Sequence, residues 1–484
     1  MRGSRGVLLS AAVALGLGLA ACGPRGEKRA GTSAAGKALN LAGRKELFGG
    51  DQRAWLTTCG DNADDCYCAA SLSLPLAPKP AWVHEYSYAE FSDFAPQQLV
   101  HYDGLLMVSA RSTQLMGLSA ADGALVFNKD VYRHLERDVP NEALERLLLH
   151  PAGYLIGQDD LGRNYCWDIT GGSPAEQWVE APATQDVGGV VALGGRVVGG
   201  WNRRLRGLDM ASGEQVWSQP TLIWPKGTVL SRSGIVVWWS PVGRTGAMRA
   251  EDGTVLWQLN LNAAIIRMTA DDWRERVYCV RYDEVVECRS LRSGELLWEH
   301  SWADLLSAAE RERLGRESGF TELARGLPLV IPSNSPMVAP EGLYLPLSSG
   351  HVVALDPDGH RRWVVRGKYA VRSGLGFANG LLLGEYYLAP GMLLREPDLI
   401  PFQVAPDWQC FNEASKEEQR TREFVRFIVR DPANGEILSS CELERPATAG
   451  PTPAWDKIAF GQAGLREGER ARIVAYPWVE PKRH

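Results

Sequence analysis

The sequence predicts an all-β protein: an eight-bladed β-propeller of four-stranded antiparallel blades, closed by an N-terminal outer strand, with short helical insertions on one face. Three observations lead there. A polar turn around a glycine, followed four residues later by a large aromatic, recurs along the chain. Its compact copies end 39 to 41 residues apart, the length of four short strands with their turns. The two ends of the chain hold complementary parts of one further copy.

The turn comes first. "GLDMASGEQVW" (207–217), "AMRAEDGTVLW" (247–257) and "CRSLRSGELLW" (288–298) share one pattern. Gly123 precedes Phe127, Gly213 precedes Trp217, Gly253 precedes Trp257, Gly294 precedes Trp298 and Gly359 precedes Trp363 by the same interval. "YCWDITGGSPAEQW" is a copy with a longer turn ending at Trp178; "FIVRDPANGEILSSC" keeps Asp431 and Gly435 but has Ser439 in the aromatic position. Glycine supplies the positive φ of a tight antiparallel turn, and Asp, Asn or Ser before it bonds back to the backbone. The aromatic then stands at a fixed height, where it can pack on the neighbouring unit and bury about 150–250 Å². No unit covers its own apolar face, so the units must stack.

Closure comes next. "WDKIAFGQA" and "RIVAYPWV" near the C-terminus read as inner strands without a final partner, and "KPAWVHEYSY" reads as an outer strand around Trp82 with no inner strands before it. Joining them removes two free strand edges, which would otherwise template aggregation. Residues 81–484 are thereby expected to form a single propeller domain.

Ahead of the propeller, residues 1–21 read as a signal peptide: two arginines, an uncharged apolar run from Gly6 to Ala21, and small residues at its end. Leu19-Ala20-Ala21-Cys22 resembles the bacterial lipobox, which implies that Cys22 is lipidated and becomes the new N-terminus. Several acyl chains on one cysteine suffice for stable anchoring, so membrane attachment is expected through this N-terminal lipid only. Gly23 after it resembles the outer-membrane-destined class; the anchored chain is expected to face the periplasm, with surface exposure left as the alternative. Residues 22–50, containing "GPRGEKRAGTSAAGKALNLAG", read as a flexible tether, and 51–80 as a cysteine-rich loop. No later stretch has the roughly 20 apolar residues of a spanning helix. The net charge of −6 over 484 residues argues against nucleic acid as a partner, because phosphate binding needs a basic face.

Eight cysteines remain after Cys22: Cys59, Cys66, Cys68, Cys166, Cys279, Cys288, Cys410 and Cys441. An even number in an exported chain points to disulfides. In "VYCVRYDEVVEC" a two-residue turn at Asp283-Glu284 would set Cys279 directly opposite Cys288, within bridging reach. Cys410 and Cys441 are assigned to disulfides as well. The group of Cys59, Cys66, Cys68 and Cys166 lacks the paired CxxC spacing of a zinc site and reads as a stapled loop, its pairing open.

The repeat A-x-D-x-x-(S/T/D)-G-x-x-x-W resembles the tryptophan-docking repeat of the quinoprotein (PQQ-like) eight-bladed propellers. Ala354, Asp356, Gly359 and Trp363 match it with a turn one residue shorter; Asp209, Gly213 and Trp217 match with Gly207 for alanine; Ala247, Gly253 and Trp257 match with Arg249 for aspartate. The resemblance implies that Trp82, Phe127, Trp178, Trp217, Trp257, Trp298 and Trp363 dock each blade on the next. It extends from about residue 80 to the end, and it speaks for fold rather than chemistry.

Quinoprotein dehydrogenases use this propeller to hold a quinone and a calcium ion, with an adjacent-cysteine disulfide, acidic calcium ligands and an aspartate base. This chain has no Cys-Cys dipeptide, and neither CxxCH, HExxH nor GxSxG. The acids of "GDNADDC" miss the alternate spacing of a calcium loop; Asp159-Asp160 and Asp271-Asp272 fall in expected turns, where solvated carboxylates are the ordinary reading. PQQ and calcium are therefore disfavoured, no metal site or catalytic residue is assigned, and an enzyme is not expected. Lipid-anchored members of the same propeller group include the outer-membrane β-barrel assembly lipoprotein, which this chain is similar to in anchor, closure and repeat. That likeness implies a non-catalytic scaffold for an envelope or outer-membrane protein. The alternatives are a quinone- and calcium-dependent dehydrogenase or an envelope propeller that binds a small ligand.

Three insertions break the spacing: 128–151, 299–326 and 388–424. Outer-strand-to-next-blade and second-to-third-strand connections emerge on one face, so all three crowd it. Helical apolar spacing at Leu144, Leu147 and Leu148, and at Leu305, Leu306 and Ala309, marks two candidate partner-binding helices. Leu144, Leu148, Leu305 and Leu306 are the candidate partner face.

Overall fold

The computed structural model describes residues 54–55, 67–68, 79–86, 96–102, 104–110, 114–130, 144–150, 152–159, 163–180, 187–201, 203–310, 336–346, 351–366, 376–378, 381–383, 426–442, 447–454, 457–462 and 470–477. Their strands form eight sheets, each built on four antiparallel strands in blade order. Seven blades run consecutively through 96–130, 144–180, 187–220, 227–260, 265–301, 337–366 and 376–442. Blade 4 is representative, with strands Gly227–Leu230, Ile235–Trp239, Arg244–Arg249 and Val255–Asn260. Its second strand, IVVWW, is buried throughout, because neighbouring blades cover both faces of the sheet.

The eighth blade is composite. Ala447–Ala454, Lys457–Gln462 and Ala471–Pro477 are completed by Trp82–Tyr86, which pairs antiparallel with the last of them, Trp82 opposite Ala475 and Tyr86 opposite Ala471. Thr452 Oγ1 donates to Leu99 O at 3.2 Å. Trp82, Tyr86, Ile473 and Ala475 share one apolar core with Leu99, Leu106 and Met116 of blade 1. First and last parts of the chain thus close on each other.

Blade-to-blade docking follows a constant geometry. An indole N–H at the end of one outer strand donates to a carbonyl in the next blade's glycine turn. The pairs are Trp82 to Ala120 O (3.1 Å), Trp178 to Met210 O (2.7 Å), Trp217 to Ala250 O (2.9 Å), Trp257 to Leu291 O (2.9 Å), Trp298 to Pro357 O (3.0 Å) and Trp363 to Pro432 O (2.9 Å). Each ring also lies over the glycine of that turn. At Gly294, with φ +72°, a Cβ would sit 2.8 Å from the Trp257 ring. Asp209 Oδ1 shows the role of the polar residue, accepting from Ala211 and Ser212 N–H at 3.1 Å each. At about 25 cal/mol per Å², one docked indole contributes on the order of 4–6 kcal/mol before entropy.

Two units lack the tryptophan, and the structure gives a reason for each. Phe127 has no N–H to donate; it packs on Leu147, Leu149 and Tyr165 of blade 2. The turn glycines there, Gly171 and Gly172, have no atom within 4 Å of a would-be Cβ, so no ring lies over them. Ser439 precedes blade 8, whose third and fourth strands come from opposite ends of the chain. No turn joins those two strands, so an indole there would find no carbonyl.

The expected Cys279–Cys288 bridge is overturned. The hairpin has a three-residue loop, with Glu284 at φ +67°, rather than a two-residue turn. Cys279 therefore pairs with Glu287 and Cys288 with Tyr278. A slip of one residue sends the two thiols to opposite sheet faces: Cys279 into the core shared with blade 4, Cys288 into that shared with blade 6. Both are free, as is Cys166. Cys288 lies opposite Trp298 and Cys166 opposite Trp178, just as Gly117, Gly207, Ala247 and Ala354 lie opposite their own aromatics. The cysteine fills the repeat's small-residue slot, as a small apolar side chain does. Burial pushes the Cys288 thiol up to about 12. Cys441 lies in the strand Ile437–Glu442 and Cys68 in Tyr67–Cys68; Cys22, Cys59, Cys66 and Cys410 lie outside the described residues.

Two outcomes follow. Gly294→Ala, forcing a Cβ onto Trp257, is expected to destabilise by more than about 1 kcal/mol, and Trp257→Ala by about 3–5 kcal/mol, both read from urea unfolding. Alkylation of the denatured, unreduced protein should label Cys166, Cys279 and Cys288 on peptide mapping, with no peptide joining Cys279 to Cys288.

Candidate functional site

Three residues of the expected partner face, Leu148, Leu305 and Leu306, lie in the core. Leu144 opens the strand Leu144–His150, the inner strand of blade 2, rather than a helix. Leu147, Leu148 and Leu149 are all buried. A strand sandwiched between neighbouring blades loses its alternation, and a short apolar run of that kind cannot be told from a helix by period. Leu305 and Leu306, at the end of the four-residue helix Trp302–Leu305, are 3% and 2% exposed. They pack with Tyr278, Val286, Leu343 and Val353. Ser301 and Asp304 cap that helix reciprocally, and Arg361 of blade 6 clamps it through Leu305 O at 2.8 Å. Residues 311–326 and the whole of the third insertion lie outside the described residues.

A different residue stands exposed on the same face. The connection from blade 3 to blade 4 reads Thr221-Leu222-Ile223-Trp224-Pro225-Lys226. Leu222 is 67% exposed and has φ +63°. A branched side chain in the left-handed region costs about 1 kcal/mol or more. The backbone is held there by Thr221, whose N–H donates to Arg203 O at 2.8 Å and whose Oγ1 donates to Ile223 O at 2.6 Å. Three apolar residues in a six-residue loop were the available sequence signal, since turn chemistry alone would favour polar residues.

One acid of each pair is not the solvated turn carboxylate expected from sequence. Asp159 and Asp271 are fully buried. Asp159 Oδ2 accepts from Tyr165 OH at 2.8 Å and Arg163 Nε at 2.5 Å; Asp271 Oδ2 accepts from Tyr278 OH and Arg274 Nη1, both at 3.0 Å. Burial and Asp271 together push the Tyr278 phenol upward, so this group holds its proton and pins the turn. Glu287, also fully buried, sits between Arg281 and Arg289. A polar chain from Gln158 through Asn164 and Glu180 to Arg206 joins blades 2 and 3, and burial raises the Glu180 carboxyl despite Arg206. These arrangements bind strands together. Among the described residues no group of three His, Cys, Asp or Glu could hold a metal ion, and no helix is long and apolar enough to cross a membrane.

At the inner edges the chain adds two strands of its own. Ala54–Trp55 pairs antiparallel with the inner strand of blade 1, Trp55 opposite His101, and Tyr67–Cys68 pairs parallel with Gly376–Ala378 of blade 7. His101 is 1% exposed, and its Nε2 accepts from Gly104 N–H at 3.1 Å, so it must be neutral there. Burial lowers it to about 4.

Residues 201–366 match the family described as outer membrane protein assembly factor BamB. No curated protein matches the chain in sequence. Solved structures match its fold. Quinohemoprotein alcohol dehydrogenase from Comamonas testosteroni aligns with TM-score 0.59 at 13% identity, over 89% of this chain and 81% of that one. A europium-containing methanol dehydrogenase aligns at 0.59 and 11%, over 88% and 98%. BamB from Moraxella catarrhalis aligns at 0.51 and 12%, over 84% and 99%. The chain therefore has the fold of the PQQ-like class of propellers. Within that class it resembles BamB over the matched blades.

His101 gives a pH dependence with a definite sign. Its folded pKa, about 4, lies below the ordinary histidine value, so between the two the unfolded chain binds more protons. The stability it contributes is full above about pH 6.5 and is lost as pH falls toward 4, by on the order of 3 kcal/mol. His101→Gln should flatten that part of the curve of unfolding midpoint against pH.

Proposed function

We propose that this chain is a lipid-anchored envelope propeller that acts as a non-catalytic protein-binding scaffold in outer-membrane protein assembly, docking its partner on the face of the inter-blade connections. The observation that carries the docking site is Leu222, a strained, two-thirds-exposed leucine on a rigid scaffold. Strain of this kind concentrates at functional positions, and exposed apolar anchors on loops are common binding hot spots. The match of residues 201–366 to the assembly-factor family spans this connection and supports the choice of partner. The lipobox at Cys22 supports the anchor. The dehydrogenase reading draws on fold likeness alone.

The test is photo-cross-linking in the native host from p-benzoyl-phenylalanine at position 222, with position 212 on the glycine-turn face as control. Capture of a barrel-assembly component from 222 alone is expected; equal capture from both, or none, overturns the docking site. Leu222→Gly should keep or raise the thermal midpoint by relieving φ, yet lower partner capture at least roughly tenfold. A quinone band in the absorption spectrum of the purified protein would overturn the non-catalytic reading.

A further inference from the structure

The glycine-turn face, opposite Leu222, carries a cavity of about 550 Å³ where blades 3, 4 and 5 meet. Four arginines from four separate turns line it: Arg196, Arg232, Arg249 and Arg292. Glu251 is the one acid among the lining residues, and Leu193, Ile235 and Leu256 supply an apolar wall. A cavity of this size suits a small molecule, with a few placed polar groups setting its orientation.

The arginines differ in how firmly they are held. Arg196 Nη1 lies 3.0 Å from Asp209 Oδ2, and Arg292 Nε lies 2.7 Å from Glu275 Oε2. Arg232 Nε lies 3.7 Å from Asp272 Oδ2. The Arg249 side chain makes no hydrogen bond among the described residues; the nearby Asp252 carboxylate accepts from Thr254 N–H at 2.8 Å and is lowered in part by the Arg249 charge. Exposed ion pairs contribute little to stability, so their arginines can share donors with an incoming anion at small cost. Guanidinium forks match the paired oxygens of phosphate and carboxylate.

We infer that this cavity binds a small ligand carrying two or more oxyanion groups, phosphate or carboxylate, with Arg249 as its principal contact. Arg232 and Arg249 come from adjacent hairpins of blade 4, and blade stacking brings Arg196 of blade 3 and Arg292 of blade 5 to them. This site is separate from the docking face and does not depend on the scaffold reading. Its ligand is either a soluble molecule or the headgroup of an anionic lipid.

Titration calorimetry of the full-length protein in detergent with inorganic pyrophosphate tests it. Binding is expected, stronger than that of inorganic phosphate and weakened by added salt. Arg249→Gln should lower affinity at least roughly tenfold, with Arg249→Lys intermediate. Arg249 is exposed, so its replacement should leave the thermal midpoint unchanged. Absence of pyrophosphate binding, or binding indifferent to Arg249→Gln, overturns the proposal. Co-sedimentation with phosphatidic acid vesicles separates the sources. Sedimentation lost in Arg249→Gln supports a headgroup; pyrophosphate binding without sedimentation supports a soluble ligand.

Discussion

The indole N–H that reaches across to the next blade's turn carbonyl is the contact on which the rest depends. It needs three things at once: a glycine at positive φ under the ring, a small residue on the adjacent strand, and a carbonyl left free by the turn. Gly213, Gly253 and Gly294 meet the first need, and Gly207, Ala247 and Cys288 the second. A bulge follows the small residue in each of these outer pairs, which lets the ring tilt toward its neighbour. Since each blade supplies a ring on one side and a turn on the other, the interaction propagates in one direction around the axis. It fails only where the receiving turn is altered or missing.

That economy explains what the sequence made legible. Turn, glycine and tryptophan are local, so the blades and the composite eighth sheet can be read residue by residue. The slot filled by Cys288 was legible too, because "CRSLRSGELLW" aligns its cysteine with Ala247 of "AMRAEDGTVLW"; pairing by turn midpoint obscured it. Hairpin parity was not legible. Nothing in "RYDEV" requires Glu284 to take the left-handed conformation that a glycine would announce. The leucines of 144–149 misled for a different reason. Burial on both faces erases the period that separates strand from helix. Asp159 and Asp271 look like any turn acids until Tyr165 and Tyr278 are seen reaching them across the blade.

The two faces of the ring have different characters for a topological reason. Connections between blades must bridge a gap and carry what insertions there are, so they can present an apolar residue such as Leu222. The glycine turns are short and fixed, and their polar side chains stand at set intervals around the rim. Arginines on adjacent turns therefore become neighbours without any local pattern in the chain. Ion groups around a buried acid, such as Arg281–Glu287–Arg289, are a third kind of polar feature, confined within one blade.

The clasp of the eighth blade has a consequence for the order in which the molecule is made. Strand 82–86 leaves the ribosome early, and the strand it pairs with lies roughly 390 residues later, a delay on the order of 20–80 s at ordinary elongation rates. Blade 1 is synthesised directly after it. Trp82 Nε1 already has its acceptor there in Ala120 O, and His84 Nδ1 lies 3.0 Å from Gly123 O. This strand can thus rest against its neighbour's turn while the intervening blades accumulate. Strand 471–477 then finds its partner held in place at the rim, so ring closure is a short-range event despite joining strands so far apart in the sequence.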